Sequence, residues 1–172
     1  MIVTLLGYMG SGKSTIGLEL ALHLAYDFID LDKFIEEKEG ATIRDIFKFK
    51  GEIYFRKLEN SCLSEIYSTK NKTVLSLGGG TPCFFGNMDL INSNNSKSIY
   101  LKLLPKSLSE RLFLEKETRP LISHLKTEDS LLEFIAIHLF ERQNFYNKAS
   151  LVISVDHKTV DETVADIIKQ LS

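Results

Sequence analysis

Only two cysteines, Cys62 and Cys83, occur in the 172 residues, and their spacing makes neither a metal-ligand pair nor a disulfide framework. Both are expected to be buried, reduced thiols without a chemical role. An excess of one charge is also lacking. The chain has 21 Lys and Arg against 23 Asp and Glu, a formal net charge of -2, so it has no basic surplus of the kind nucleic-acid binding requires. No apolar run reaches the roughly 18 residues of a membrane span, and the N-terminus shows no charged segment followed by a small-residue cleavage site. These absences point to a soluble cytoplasmic protein. Proline occurs three times, and no Pro/Ser-rich linker, low-complexity tract or internal repeat divides the chain. With 44% hydrophobic residues, the sequence suffices for one well-buried domain over residues 1–172 and is short for two.

The most informative segment present is Gly7-Tyr8-Met9-Gly10-Ser11-Gly12-Lys13-Ser14, which fits GxxxxGK[ST]. A short apolar strand with Ile2, Val3, Leu5 and Leu6 precedes it, and Ile16, Leu20 and Leu24 follow at helical spacing. That context gives the pattern a mechanism. Gly10, Ser11 and Gly12 let backbone N–H groups turn onto a phosphate chain and the helix N-terminus adds a positive dipole end. Lys13 supplies a mobile cation, and the Ser14 hydroxyl is a candidate Mg²⁺ ligand. Thr15 adds a hydroxyl near the α-phosphate, whereas Tyr8 and Met9 fill variable positions of the loop.

Strands are expected over Ile2–Leu6, Phe28–Leu31, Val74–Leu77, Ser98–Leu103 and Leu151–Val155, with helical segments between them. This rhythm predicts an α/β fold with a five-stranded parallel sheet covered by helices on both faces. Val160, Val164, Ile167 and Leu171 form one stripe of a final docking helix. Asp30-Leu31-Asp32 falls where the second strand runs out, at the sheet end where ligands bind in such folds. One carboxylate there could hold Mg²⁺ through water while the other orients an acceptor hydroxyl and takes its proton; equally, Asp32 could cap the helix that follows.

Further along, Arg56 follows Phe55, with Phe47 nearby. It reads either as a carboxylate-binding fork beside an apolar wall or as a surface arginine paired with Glu52 or Glu59. Gly78-Gly79-Gly80 closes a strand and would let a ligand lie against backbone, or would simply make a tight turn. His23, His124, His138 and His157 have no ligand spacing and receive no chemistry.

Together these pieces resemble the shikimate kinases. Gly7 to Ser14, Asp30-Leu31-Asp32, Gly51-Glu52, Phe55-Arg56 with Glu59, Gly78-Gly79-Gly80, Arg119-Pro120-Leu121-Ile122, and Glu141-Arg142 with Tyr146 come in that family's order and near its spacings. The resemblance spans residue 2 to about residue 155. It implies a three-layer P-loop kinase fold with a mobile lid over about 112–125 and a shikimate-binding region over about 31–60. The implied reaction is transfer of the ATP γ-phosphate to the 3-hydroxyl of shikimate, in chorismate and aromatic amino-acid biosynthesis. Mg²⁺ would be held by Ser14 and Asp30, with ATP as co-substrate. Arg56 and Arg142 would bind the shikimate carboxylate, Asp32 the ring hydroxyls, Gly78, Gly79 and Gly80 the substrate through backbone, and Phe47 and Phe55 its apolar face. Asp32, Lys13 and Arg119 would be the catalytic side chains. Arg111 is the candidate for the adenine-holding arginine, and Asp156-His157-Lys158 for the adenine-contacting segment. The stretch Leu112-Phe113-Leu114-Glu115-Lys116-Glu117 is more apolar and acidic than the lids of that family. The family likeness also favours a monomer. A kinase for gluconate or a nucleoside monophosphate would share the first motif and the lid but have less use for Arg56, the glycine triplet and Arg142 together, and the intact Asp32 and Lys13 positions argue against an ATP-binding regulatory domain.

Overall fold

A computed structural model describes residues 1–93, 96–116, 119 and 121–171. Glu117 of the expected lid, and Pro120 of the Arg119-to-Ile122 motif, lie outside the described residues. The chain runs β1 (Ile2–Leu6), α1 (Lys13–Leu24), β2 (Asp27–Asp30), α2 (Leu31–Glu39), α3 (Ile43–Thr69) and β3 (Thr73–Ser76). A 3₁₀ turn (Thr81–Cys83) follows, then α4 (Asn87–Ser93), β4 (Ser96–Lys102), α5 (Pro105–Glu115), α6 (Glu128–Tyr146), β5 (Leu151–Ser154) and α7 (Val160–Leu171). The five strands form one parallel sheet in the order β2-β3-β1-β4-β5.

Every residue of β1 is buried, as its apolar run requires of a central strand covered on both faces. Four expected strands end one residue later than the observed ones, and for three of them the reason is local. Leu77 and Val155 each still donate one bond to a neighbouring strand, Leu77 N–H to the Leu5 carbonyl at 3.0 Å and Val155 N–H to the Lys102 carbonyl at 2.9 Å, before the chain turns away. Leu31 instead begins α2, because the Asp30 carboxylate accepts from the backbone N–H of Asp32 and Lys33 and starts the helix there. The fourth expected strand, Ser98–Leu103, starts two residues earlier, at Ser96, and ends at Lys102.

Two helices bear directly on the site. α3 is broken at Gly51, whose φ of 83° and ψ of 169° belong to glycine alone, so its first half leaves the axis of its second. α6 starts with a reciprocal cap between Thr127 and Ser130 and runs unbroken to Tyr146. α7 docks as its stripe predicts, with Val164 and Ile167 fully covered. No helix among the described residues is long and apolar enough to cross a membrane.

Candidate active site

The carboxyl ends of β1, β2 and β3 converge. Asp30 stands level with Ser76 across β2 and β3, and Leu5 level with Ser76 across β1 and β3. Around that line lies a cleft of about 540 Å³ bordered by Gly10, Gly12, Lys13, Ser14 and Thr15 of the loop, Asp30 and Asp32, Gly78 and Gly79, and Arg111, Glu115 and Arg119 from the far side.

Gly12 stands as the residue before α1 with a φ of 89°, the left-handed turn that aims the helix N-terminus into the cleft. The Lys13 ammonium donates to the carbonyls of Gly7 at 2.9 Å and Tyr8 at 3.0 Å. Burial lowers the Lys13 pKa to about 8, with Arg119 and Arg142 adding repulsion and Asp32 and Asp30 opposing them. Ser11 is fully buried with its hydroxyl oxygen unpaired among the described residues, a polar group within the loop awaiting a partner. Ser14 Oγ donates to Asp30 Oδ2 at 2.9 Å. These are hard oxygen donors side by side, of the kind Mg²⁺ takes. Among the described residues no three His, Cys, Asp or Glu cluster tightly enough to hold a metal unaided, so the phosphate oxygens of a nucleotide must complete such a shell.

The two aspartates divide their work. Asp30 Oδ1 caps α2, accepting from Asp32 N–H at 3.1 Å and Lys33 N–H at 3.4 Å, while its Oδ2 faces Ser14. The capping role considered for Asp32 therefore belongs to Asp30. Asp32 is left with its carboxylate toward the glycine triplet, its pKa raised to about 6 by burial first and then by Asp30 and Glu59, against the pull of Lys13.

The glycine triplet is the meeting point. A β-carbon on Gly78 would stand 2.9 Å from Asp32 Oδ1, one on Gly80 2.7 Å from Arg56 Nη2, and one on Gly79 3.6 Å from Arg142 Nη1. Arg56 is not the surface arginine its sequence neighbours allowed. Its side chain is 12% exposed, donating from Nη1 to the buried Glu59 at 3.0 Å, with Glu52 at 3.5 Å from Nε. Its guanidinium also lies 4.1 Å over the Phe84 ring and 5.2 and 5.9 Å from those of Phe55 and Phe47. Phe55 is buried and Phe47 is 36% exposed, their ring centroids 4.6 Å apart. Phe84 was missed from the sequence, although it directly follows the turn after the triplet. Glu59, quoted there only as part of a motif, also accepts from Thr81 Oγ1, so it ties Arg56 to the turn.

From the other side, α6 brings Arg142 and, one turn later, Tyr146, whose hydroxyl donates to the Gly79 carbonyl at 2.6 Å. His138, given no chemistry from the sequence, lies within 3.1 Å of Arg142 Nη2, and its other ring nitrogen lies 2.9 Å from the Tyr8 hydroxyl. Tyr8, read from the sequence only as filling a variable position of the loop, is buried beside them. In the lid region Arg119 donates from Nε and Nη2 to Glu115 at 3.2 and 2.7 Å. Arg111 borders both the main cleft and a second cavity of about 310 Å³ shared with Thr15, Val155, Lys158 and Thr159. Of the Asp156-His157-Lys158 segment, only Lys158 lines that cavity; Asp156 instead accepts from Leu104 N–H at 3.2 Å, joining the ends of β4 and β5.

A phosphate-binding loop at the carboxyl end of a parallel sheet, an Mg²⁺-compatible Ser-Asp pair, and a half-buried carboxylate and two arginines bordering one glycine triplet define a nucleotide-dependent phosphotransferase. The family model for shikimate kinase matches residues 9–172. A shikimate kinase of Flavobacterium johnsoniae is 44% identical over 170 residues, covering 99% of this chain and 98% of that one. The crystal structure of the shikimate kinase of Bacteroides thetaiotaomicron superposes with a TM-score of 0.91 at 35% identity, covering 99% and 98% of the two chains. That of Acinetobacter baumannii, solved in complex with shikimate, gives 0.85 at 30% identity, covering 99% and 92%. The chain belongs to the shikimate kinase family. Its activity is ATP-dependent phosphorylation of shikimate, with Mg²⁺ as cofactor.

Proposed function

We propose that shikimate lies against the Gly78-Gly79-Gly80 backbone, its carboxylate between Arg56 and Arg142 and its 3-hydroxyl at Asp32. The observation that carries this reading is the triplet itself: one stretch of side-chain-free backbone is bordered by an acid at Gly78 and by cations at Gly79 and Gly80, the groups a small ring bearing hydroxyls and a carboxylate needs. Arg56 and Arg142 bind the carboxylate and fix the ring's orientation. Asp32 accepts the proton as the 3-oxygen bonds to the γ-phosphorus and the bond from that phosphorus to the β-bridging oxygen breaks, leaving ADP. Its raised pKa makes it a stronger base than an ordinary carboxylate while leaving it ionised at neutral pH.

Gly10, Ser11, Gly12, Lys13, Ser14 and Thr15 hold the phosphates, and Lys13 stays cationic as the polyphosphate replaces the loop carbonyls around it. Ser14 and Asp30 would hold Mg²⁺ together with the nucleotide, where the ion would supply positive charge to the phosphates. Arg119 leaves Glu115 for the phosphates when the lid, about 112–125, covers the cleft, and Arg111 lies along adenine in the second cavity. Residues 1–172 act as one unit, with about 31–60 forming the shikimate-binding region. The protein works as a cytoplasmic monomer: the family likeness favours the single chain, and two cysteines left as free thiols fit a reducing compartment.

Titration calorimetry tests the carboxylate assignment. Arg142→Ala weakens shikimate binding by about 1.5–3 kcal/mol, the worth of a charge-assisted bond, and leaves ATP binding nearly unchanged. Equal loss of both affinities would remove Arg142 from the substrate fork.

A further inference from the structure

His138 and Tyr8 are 130 residues apart in sequence, yet together they enclose Arg142. The His138 imidazole sits one helical turn before Arg142 on α6, with Nε2 3.1 Å from Arg142 Nη2 and Nδ1 2.9 Å from the Tyr8 hydroxyl. A guanidinium carries only donors, so Nε2 must offer a lone pair, and the proton of the neutral ring must then sit on Nδ1 and point at the Tyr8 oxygen. Only that tautomer satisfies both contacts. Tyr8 contributes twice, since its ring also lies beneath the guanidinium, 5.7 Å from Cζ, and meets the imidazole edge-on. The Phe134 ring closes the imidazole from the preceding turn at 5.1 Å.

We infer that His138 is a positioning residue for shikimate binding: its Nε2 lone pair holds the Arg142 guanidinium toward the glycine triplet, and Tyr8 of the phosphate-binding loop fixes the tautomer that keeps this lone pair free. The inference rests on the reading of Arg142 as half of the carboxylate fork. Burial and the Arg142 charge hold the imidazole below its usual pKa, against the weaker opposite pull of Glu141, which keeps the ring neutral and Nε2 able to accept. With one N–H engaged by His138, and Tyr146 in contact one turn on, the guanidinium plane is set before substrate arrives and its Nη1 lies toward Gly79. Less side-chain freedom is then lost on binding. The device also links the two substrate sites, because the residue that orients the imidazole belongs to the loop that holds ATP.

Long-range ¹H–¹⁵N NMR reads the tautomer directly, since the chain has four histidines and His138→Leu identifies the relevant signal. The expected form is Nδ1–H; an Nε2–H or a protonated ring at the pH of the activity assay would overturn the inference. In steady-state kinetics His138→Leu raises the KM for shikimate about tenfold, with kcat and the KM for ATP within about twofold. His138→Gln, whose amide oxygen can still accept from the guanidinium, recovers most of that loss. A shikimate KM unchanged in His138→Leu, or an equal rise in both KM values, would refute it. Tyr8→Phe keeps the ring, drops the hydroxyl and leaves α6 untouched: it should weaken the Nδ1–H preference and raise the shikimate KM, and no change in either would count against the proposal. Arg142→Ala separates the two levels. If it spares shikimate binding, the fork and the positioning role fall together; if it weakens binding while His138→Leu is silent, only the positioning role falls.

Discussion

Asp30 and Asp32 are two residues apart and chemically alike, and the difference between them is environmental. Asp30 spends its oxygens on two backbone N–H groups and Ser14, whereas Asp32 is half-buried among three other carboxylates, Asp30, Glu59 and Glu36, with Lys13 opposing them. The linkage sign follows. A folded-state pKa of about 6 against 3.8 unfolded means that holding Asp32 ionised costs stability above pH 6, a cost that shrinks as pH falls through 6 and vanishes below about 4. Asp32→Asn should therefore stabilise the protein at pH 7, by about 1–3 kcal/mol in urea titrations, while losing about 10²–10⁴ in kcat and retaining ATP binding. The acid limb of kcat/KM, expected near pH 6, should disappear with it. Normal turnover in Asp32→Asn would remove the base. The residue types at the site were legible in the sequence, but which aspartate caps was not, since spacing alone leaves both free to turn. The Tyr8–His138–Arg142 chain was not legible either, because no local pattern joins positions 130 residues apart.

Among the elements, α3 shows how a helix can be broken to shape a site. Gly51 at φ 83° and ψ 169° separates a first half bearing Phe47 from a second half bearing Phe55, Arg56 and Glu59. A β-carbon there would meet nothing within 4 Å, so the penalty of Gly51→Ala is backbone strain alone, about 1–3 kcal/mol, readable as a shift in the urea midpoint at constant m-value. An unchanged midpoint would show that the break is not needed. The sequence placed this region in the site but did not decide the break, because a glycine is also tolerated inside a helix and only its dihedrals reveal the kink. In the expected lid, one acidic residue has a visible partner: Glu115, half exposed, pairs with Arg119 at 2.7 Å, an arrangement worth little in water. Arg119→Ala should lower kcat by about 10³ or more in ADP-release kinetics, with shikimate affinity intact. A kcat within tenfold of the parent would remove Arg119 from the transition state.

For the molecule as a whole, the alternation of strand and helix was enough to predict a parallel sheet, because buried parallel strands read as short apolar runs such as Ile2–Leu6 and Val74–Leu77. Strand order was not readable in the same way; β1 at the centre with β3 and β4 on either side is set by long-range packing. That order makes the site, since it brings the phosphate loop after β1 beside the glycine triplet after β3 and the aspartates after β2. The proposed site is thus distributed over residues from Gly10 to Arg142, gathered at the carboxyl end of the sheet. The most direct measurement is a coupled ADP-release assay with ATP, Mg²⁺ and shikimate, run beside gluconate, nucleoside monophosphates and no acceptor, for the parent and Lys13→Ala. The account predicts ADP release that requires shikimate and is lost in Lys13→Ala. Turnover with another acceptor alone, or shikimate turnover that survives in Lys13→Ala, would contradict it.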